Sequence, residues 1–173
     1  MNTASTPHRR QPLLARLLPA LLMVCTIALG LLLPTGVAAA PRPWMVQGEF
    51  RTQIQPPESC PPPSTLCARG VATGDIKGDT EVVITSSEIV VEADGTPFSV
   101  YTGTITITSR RGTLSGTVSG RVRLTDGQLT STVTFTSGTR FYRKVTGTLA
   151  VTGQIDLATG SEVDTYSGTL VRN

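Results

Sequence analysis

Few side chains in this 173-residue chain could do acid–base or metal chemistry. The one histidine, His8, lies in a basic N-terminal segment, so the rest of the chain has no imidazole for a Ser-His-Asp or Cys-His arrangement and no histidine metal site. A general acid or base would therefore be a carboxylate, a tyrosine or a lysine. The segment VDTYSG places Asp164 and Tyr166 two residues apart, on one face of a strand. One of them, Asp164 or Tyr166, is the polar group that a reaction would use.

The first 39 residues are typical of a secretory signal peptide. A basic region is followed by an apolar run from Leu17 to Leu33 and then by small residues. Cleavage after Ala39 leaves residues 40–44 as an N-terminal tail and residues 45–173 as a single domain. We therefore expect a secreted, cell-envelope or periplasmic protein. An uncleaved membrane anchor is the alternative, because the apolar run is near spanning length.

Removal of this segment would leave a neutral chain. The sequence has fifteen basic and twelve acidic residues, and the segment holds Arg9, Arg10 and Arg16 but no acid, so twelve of each sign remain. A neutral protein has no electrostatic basis for binding nucleic acid or an anionic membrane. We expect no nucleic-acid partner, no cofactor and no metal, with membrane contact only through the signal peptide during export.

Two cysteines remain after the signal segment, Cys60 and Cys67 in ESCPPPSTLC. In an exported protein, cysteines this close in sequence predict a disulfide. A redox-active pair would favour a tighter C-x-x-C at the start of a helix, and the prolines between these two do not begin one. The pair is therefore interpreted as structural.

Alternation of apolar and polar residues predicts strands throughout residues 45–173. It is clearest in YTGTITITSRRGTLSGTVSG, residues 101–120, where RRG interrupts two alternating runs. Turn sequences such as ADGT, TDGQ and ATGS divide the rest. The predicted strands are 45–54, 68–77, 80–92 (with a bulge), 98–109, 113–124, 129–137, 147–157 and 162–172. Their short connections favour an all-β fold, an eight-stranded antiparallel up-and-down barrel, with a β-sandwich as the alternative.

The glycines within these strands fall in the same register as the apolar residues. Gly116 and Gly120, for example, alternate in phase with Leu114, Val118 and Val122. Glycine on the inner face relieves crowding in a tightly coiled barrel, and it could equally leave a ligand cavity. The candidate ligand-binding residues of the interior are Phe50, Tyr101, Ile105, Phe135, Asp164 and Tyr166. Asp164 lies near a strand end, so we expect it at a solvated rim.

The C-terminal half carries three recurrent segments: RRGTLSGTVSG, GTRFYRKVTGTLAVTG and DLATGSEVDTYSGTL. This half, roughly residues 98–171, resembles small exported bacterial proteins with allene-oxide-cyclase-like barrels, relatives of plant allene oxide cyclases and dirigent proteins. The family motif G-T-G-x-[FY]-x-G-[AV]-T-G is matched at Gly138, Thr139, Tyr142, Val145, Thr146 and Gly147. Arg140 and Lys144 replace two of its glycines. The resemblance implies a barrel that can confine a substrate, and it assigns no site residue here.

Three functions fit these observations. The first is a binding module that holds a small apolar or amphipathic ligand inside the barrel. The second is a cyclase or isomerase that confines a reactive substrate beside one polar group, Asp164 or Tyr166. The third is a passive extracellular or surface protein. A buried, unpaired carboxylate would favour the second, and a solid interior would favour the third.

Overall fold

The described residues, 41–64 and 66–173 of the computed structural model, form strands joined by short turns. The strands are β1 (Arg42–Ile54), β2 (Leu66–Gly74), β3 (Gly78–Val91), β4 (Pro97–Ser109), β5 (Gly112–Arg123), β6 (Gln128–Gly138), β7 (Val145–Ile155) and β8 (Ser161–Arg172). Two three-residue 3-10 helices, Pro57–Ser59 and Arg140–Tyr142, lie in connections. The predicted signal peptide, residues 1–39, and its cleavage site lie outside the described residues.

The strands close into one barrel. Each strand pairs antiparallel with the next, and β8 pairs with β1 to complete the circle. Closure satisfies the backbone N–H and C=O groups that an open sheet would leave at its edges. The predicted all-β, eight-stranded up-and-down barrel is confirmed, and the β-sandwich alternative is wrong.

Some strand boundaries differ from those predicted. β1 begins at Arg42, so residues 42–44 of the predicted tail pair with β8, and Trp44 lies opposite Leu170. β2 ends at Gly74 rather than at residue 77. The predicted bulge in the third strand is present, as a shift of register between Ile84 and Ser86.

Glycine at inward positions lets neighbouring strands approach closely. A Cβ added at Gly116 would meet the carbonyl oxygen of Thr134 and lie 2.7 Å from the Cα of Phe135. A Cβ at Gly168 would meet Thr148 in the same way. The obstacle at both positions is the backbone of the adjacent strand, which cannot rotate aside as a side chain can. These glycines are therefore needed for the tight coiling of the sheet.

The two ends of the barrel are filled differently. At the packed end, where β2, β4, β6 and β8 finish, large side chains are fully buried: Ile76, Ile107, Leu114, Phe135, Val145 and Leu170. At the mouth end, where these same strands begin, several inward positions carry small side chains, namely Ala68, Ser99 and Ser131. A barrel of eight strands is just wide enough for side chains to fill, so small side chains at one end leave space there.

The loop between β1 and β2 is closed by the predicted disulfide. Cys60 and Cys67 are bonded with their Cα atoms 5.6 Å apart, and both are buried. The disulfide holds residues 60 and 67 together where the chain enters β2 at the mouth end.

The double variant Cys60→Ala, Cys67→Ala should keep the barrel but melt earlier. Opening so short a loop costs about 2–3 kcal/mol on the chain-entropy model, which lowers the melting temperature of a domain of this size by roughly 5–15 °C. The measurement is thermal unfolding followed by circular dichroism. If the variant lost the native circular-dichroism spectrum at 25 °C, the disulfide would be required for folding and would not merely support it. An unchanged melting temperature would show that the disulfide adds nothing to stability.

Candidate ligand site

A cavity of about 210 Å³ lies inside the mouth end of the barrel. All eight strands contribute to its wall, which is mostly aliphatic, with Phe50 and Ile105 at its inner part. Leu66 and Leu157 line it as well and are 38% and 50% exposed, so the cavity reaches solvent at the barrel end. The polar side chains in the wall are Thr52, Ser99, Tyr101, Ser131, Glu162 and Asp164. An apolar pocket with a few convergent polar groups is the usual form of a small-molecule site.

Asp164 is buried in this wall, with 3% of its surface exposed. Its backbone pairs with Phe50 of β1 and with Gly153 of β7. A Cβ at Gly153 would fall on the Asp164 Oδ1 atom, so the missing side chain is what gives the carboxyl its place. The expected solvated rim position is wrong, because β1 and β7 both extend past Asp164 and cover it on either side.

Glu162 faces the cavity two residues before Asp164, in the same register. Its carboxylate accepts a 2.7 Å hydrogen bond from the Thr52 hydroxyl, and Thr52 itself is buried. Two acidic residues of β8, Glu162 and Asp164, therefore face the interior. The barrel interior holds a pair of carboxyl groups beside an apolar cavity.

The pair holds a proton. Burial, a hydrogen bond to Glu162 and the negative charge of Glu162, in that order of importance, together raise the pKa of the Asp164 carboxyl from 3.8 to about 9. Asp164 is thus neutral at pH 7 and can donate its proton in a hydrogen bond to Glu162. Its Oδ1 atom is enclosed against Gly153 and has no hydrogen-bond partner among the described residues. A buried acceptor without a donor costs free energy, about 1–3 kcal/mol.

Tyr101 adds a hydroxyl to the same wall, from β4. Burial raises the pKa of this hydroxyl, hydrogen bonding to Ser131 opposes the shift, and the negative charge of Glu162 adds to it. Tyr101 therefore stays protonated at neutral pH. Together with Ser131 it supplies neutral hydrogen-bonding groups near the carboxyl pair.

No protein-family model, curated protein or solved structure matches this chain. Within residues 41–64 and 66–173, no helix is long and apolar enough to cross a membrane. The same residues contain no cluster of metal-ligating side chains.

Four of the six residues predicted for the interior site line the cavity. They are Phe50, Tyr101, Ile105 and Asp164. The other two, Phe135 and Tyr166, are buried but lie outside the cavity wall.

Tyr166 holds the packed end together. Its hydroxyl donates to the carbonyl oxygen of Thr73 at 2.9 Å and accepts the N–H of Ile76 at 3.0 Å. Its ring packs against Phe50 with centroids 4.7 Å apart. The hydroxyl is already engaged in fixing the turn between β2 and β3, so Tyr166 is a structural residue in this barrel and does not reach the cavity.

Thr52, Ser131 and Glu162 are site residues that the sequence did not suggest. Glu162 was detectable, because it alternates in phase with Asp164 in SEVDTYSG. Thr52 and Ser131 were not, because threonine and serine occupy both faces of these strands. Whether Thr52 and Ser131 belong to the site depends on which side chains they face across the barrel interior.

Proposed function

We propose that this protein is an exported barrel that binds one small apolar or amphipathic molecule in the mouth-end cavity. The observation that carries the proposal is the cavity itself, about 210 Å³ with a mostly aliphatic wall and a small polar cluster. An apolar protein cavity of roughly 150 Å³ is large enough to bind benzene. A molecule somewhat larger than benzene would fit, and longer ones could extend through the mouth.

The Cys60–Cys67 disulfide supports export, because such bonds persist in oxidising compartments. We propose that the N-terminal segment directs the protein there and is removed near Ala39. A family relationship to the allene-oxide-cyclase-like barrels is also a proposal. Its support is the eight-stranded up-and-down order together with the glycine-rich segments of the C-terminal half.

Ethylbenzene should bind inside the mouth end of the full barrel. It is neutral and apolar, so burial of its surface drives binding without any polar contact. In an NMR titration of isotope-labelled protein, amide shifts should change for residues around the cavity and stay constant at the packed end. Absence of any shift would contradict a ligand cavity.

A cavity-filling variant provides the matched control. Val151 lines the cavity, whereas its neighbour Ala150 is exposed on the outer face of β7. Val151→Phe should weaken ethylbenzene binding at least tenfold, and Ala150→Phe should leave it within about twofold. Circular dichroism confirms that both variants are folded. Equal binding by the two variants would place the ligand elsewhere.

A cyclase or isomerase is the second candidate, favoured by the buried Asp164 with its unpartnered Oδ1. A neutral carboxylic acid beside a confined substrate can act as a general acid. Ligand extracted from protein purified from its native host would distinguish the two, since a binding protein retains one compound and an enzyme yields an isomer pair. A passive structural role needs no cavity and has less support.

A further inference from the structure

We infer that the mouth-end cavity selects an apolar molecule bearing a protonated amine over a carboxylate or an alcohol of the same shape. The inference rests on the proposed binding function and names the ligand class of that same site. It comes from the charges and the polar groups of the cavity wall.

This wall contains acidic side chains and no basic ones. Among the described residues, Glu162 and Asp164 line the cavity, and no lysine or arginine does so. A ligand carboxylate would bring a third acid next to this pair, in an apolar environment and without a cation. Burying a like charge there is strongly unfavourable. The cavity is therefore poorly suited to fatty acids and similar anions.

The acceptor that a ligand in the cavity meets is the Glu162 carboxylate, which can take further donors besides the Thr52 hydroxyl. The Asp164 Oδ1 atom is enclosed against Gly153 and is not reached from the cavity. An alcohol supplies one donor to the Glu162 carboxylate, whereas an ammonium group supplies three, which can be shared between this carboxylate and neighbouring acceptors.

Charge balance favours the ammonium further. With its proton retained on Asp164, the acid pair carries one negative charge, and one bound cation brings the buried net charge to zero. Hydrogen bonds with an ionised partner are roughly twice as strong as neutral ones. The hydroxyl groups of Tyr101 and Ser131 lie in the same wall and can accept the remaining donor.

The test uses three probes of matched shape: 2-phenylethylamine, 2-phenylethanol and phenylacetate. Their affinities are measured by NMR titration of the full barrel at pH 7 and physiological salt. The amine should bind at least tenfold more tightly than the alcohol, and phenylacetate should bind more weakly than either. Equal or tighter binding of phenylacetate would overturn the inference, and so would an amine no better than the alcohol.

Two variants connect the preference to the acid pair. Glu162→Gln removes the negative charge and should reduce the affinity for the amine to that for the alcohol, with both probes measured on the same variant. Glu49→Gln removes an acidic side chain from outside the cavity wall and should change neither affinity. An amine preference that survives Glu162→Gln would overturn the inference. If the parent protein did not bind ethylbenzene at all, the proposed function would be overturned instead. The two failures are therefore distinguishable.

Discussion

Gly116→Val should destabilise the barrel by about 3 kcal/mol, the upper part of the range for overpacking. Valine is intrinsically the better strand residue, so propensity alone predicts the opposite sign. The structural reason is that a Cβ at this position meets the carbonyl oxygen of Thr134 and lies 2.7 Å from the Cα of Phe135. Relief would require β5 and β6 to separate where β6 bulges. The measurement is urea denaturation of the variant beside the parent.

The matched control is Thr117→Val, one residue along the same strand. Thr117 is exposed on the outer face, where substitutions usually stay within about 0.5 kcal/mol. Gly120→Val should behave like Gly116→Val, since a Cβ there would lie 2.6 Å from the carbonyl oxygen of Thr130. Glycine variants as stable as the parent would show that the strands have room to separate. A loss confined to Thr117→Val would reverse the assignment of inner and outer faces.

Asp164→Asn should stabilise the protein at neutral pH, by an amount that grows with pH. Asparagine has the shape of the protonated acid and can donate the same hydrogen bond to Glu162, but it has no proton to lose. The raised pKa of Asp164 means that the folded protein holds a proton that the unfolded chain releases. Stability from this group is therefore fully present below pH 3.8 and is lost as pH rises toward its folded-state pKa.

The stability difference between variant and parent should be near zero at pH 4 and reach about 2 kcal/mol at pH 7. A pKa shift of this size in a site closed to water would change the free energy of unfolding by roughly 4 kcal/mol at pH 7. The cavity opens to solvent at the mouth, and water there reduces the cost of ionising Asp164. Urea denaturation at several pH values measures it. Glu88→Gln, at an exposed carboxyl on β3, is the control and should stay within about 0.5 kcal/mol at every pH. A difference that does not change with pH would contradict the raised pKa.

A stabilising substitution inside a cavity would itself be informative. Functional sites commonly hold groups that lower stability, because a binding or catalytic group must stay unsatisfied until its ligand arrives. Asp164 has this property, because its burial forces it to hold a proton that the unfolded chain releases.

The local pattern of the sequence was sufficient to predict the strands and their order. Alternation over residues 101–120, with RRG between the two runs, predicted β4 and β5 to within one residue at each boundary. This worked because side-chain direction in a strand depends only on position along the strand. The disulfide was predictable for a similar reason, since its two cysteines are seven residues apart.

The candidate site was predictable only in part. The inward register of Phe50, Tyr101, Ile105 and Asp164 followed from alternation, and all four line the cavity. Whether an inward side chain faces a cavity or a packed core depends on the volumes of the side chains that all eight strands place at the same height along the barrel axis. For that reason Phe135 and Tyr166 could not be separated from the other four in advance.

By itself the amino-acid sequence determined the strand pattern, the inner face and the disulfide, because each depends on residues close together in the chain. Only the tertiary structure decided the fate of Asp164 and Tyr166. Asp164 is buried because β1 and β7 both extend past it toward the mouth of the barrel. The Tyr166 hydroxyl is not available to a ligand, because it is hydrogen-bonded to residues 90 and 93 positions away in the sequence. Strand stagger and contacts between distant residues arise when the barrel closes, and no local pattern encodes them.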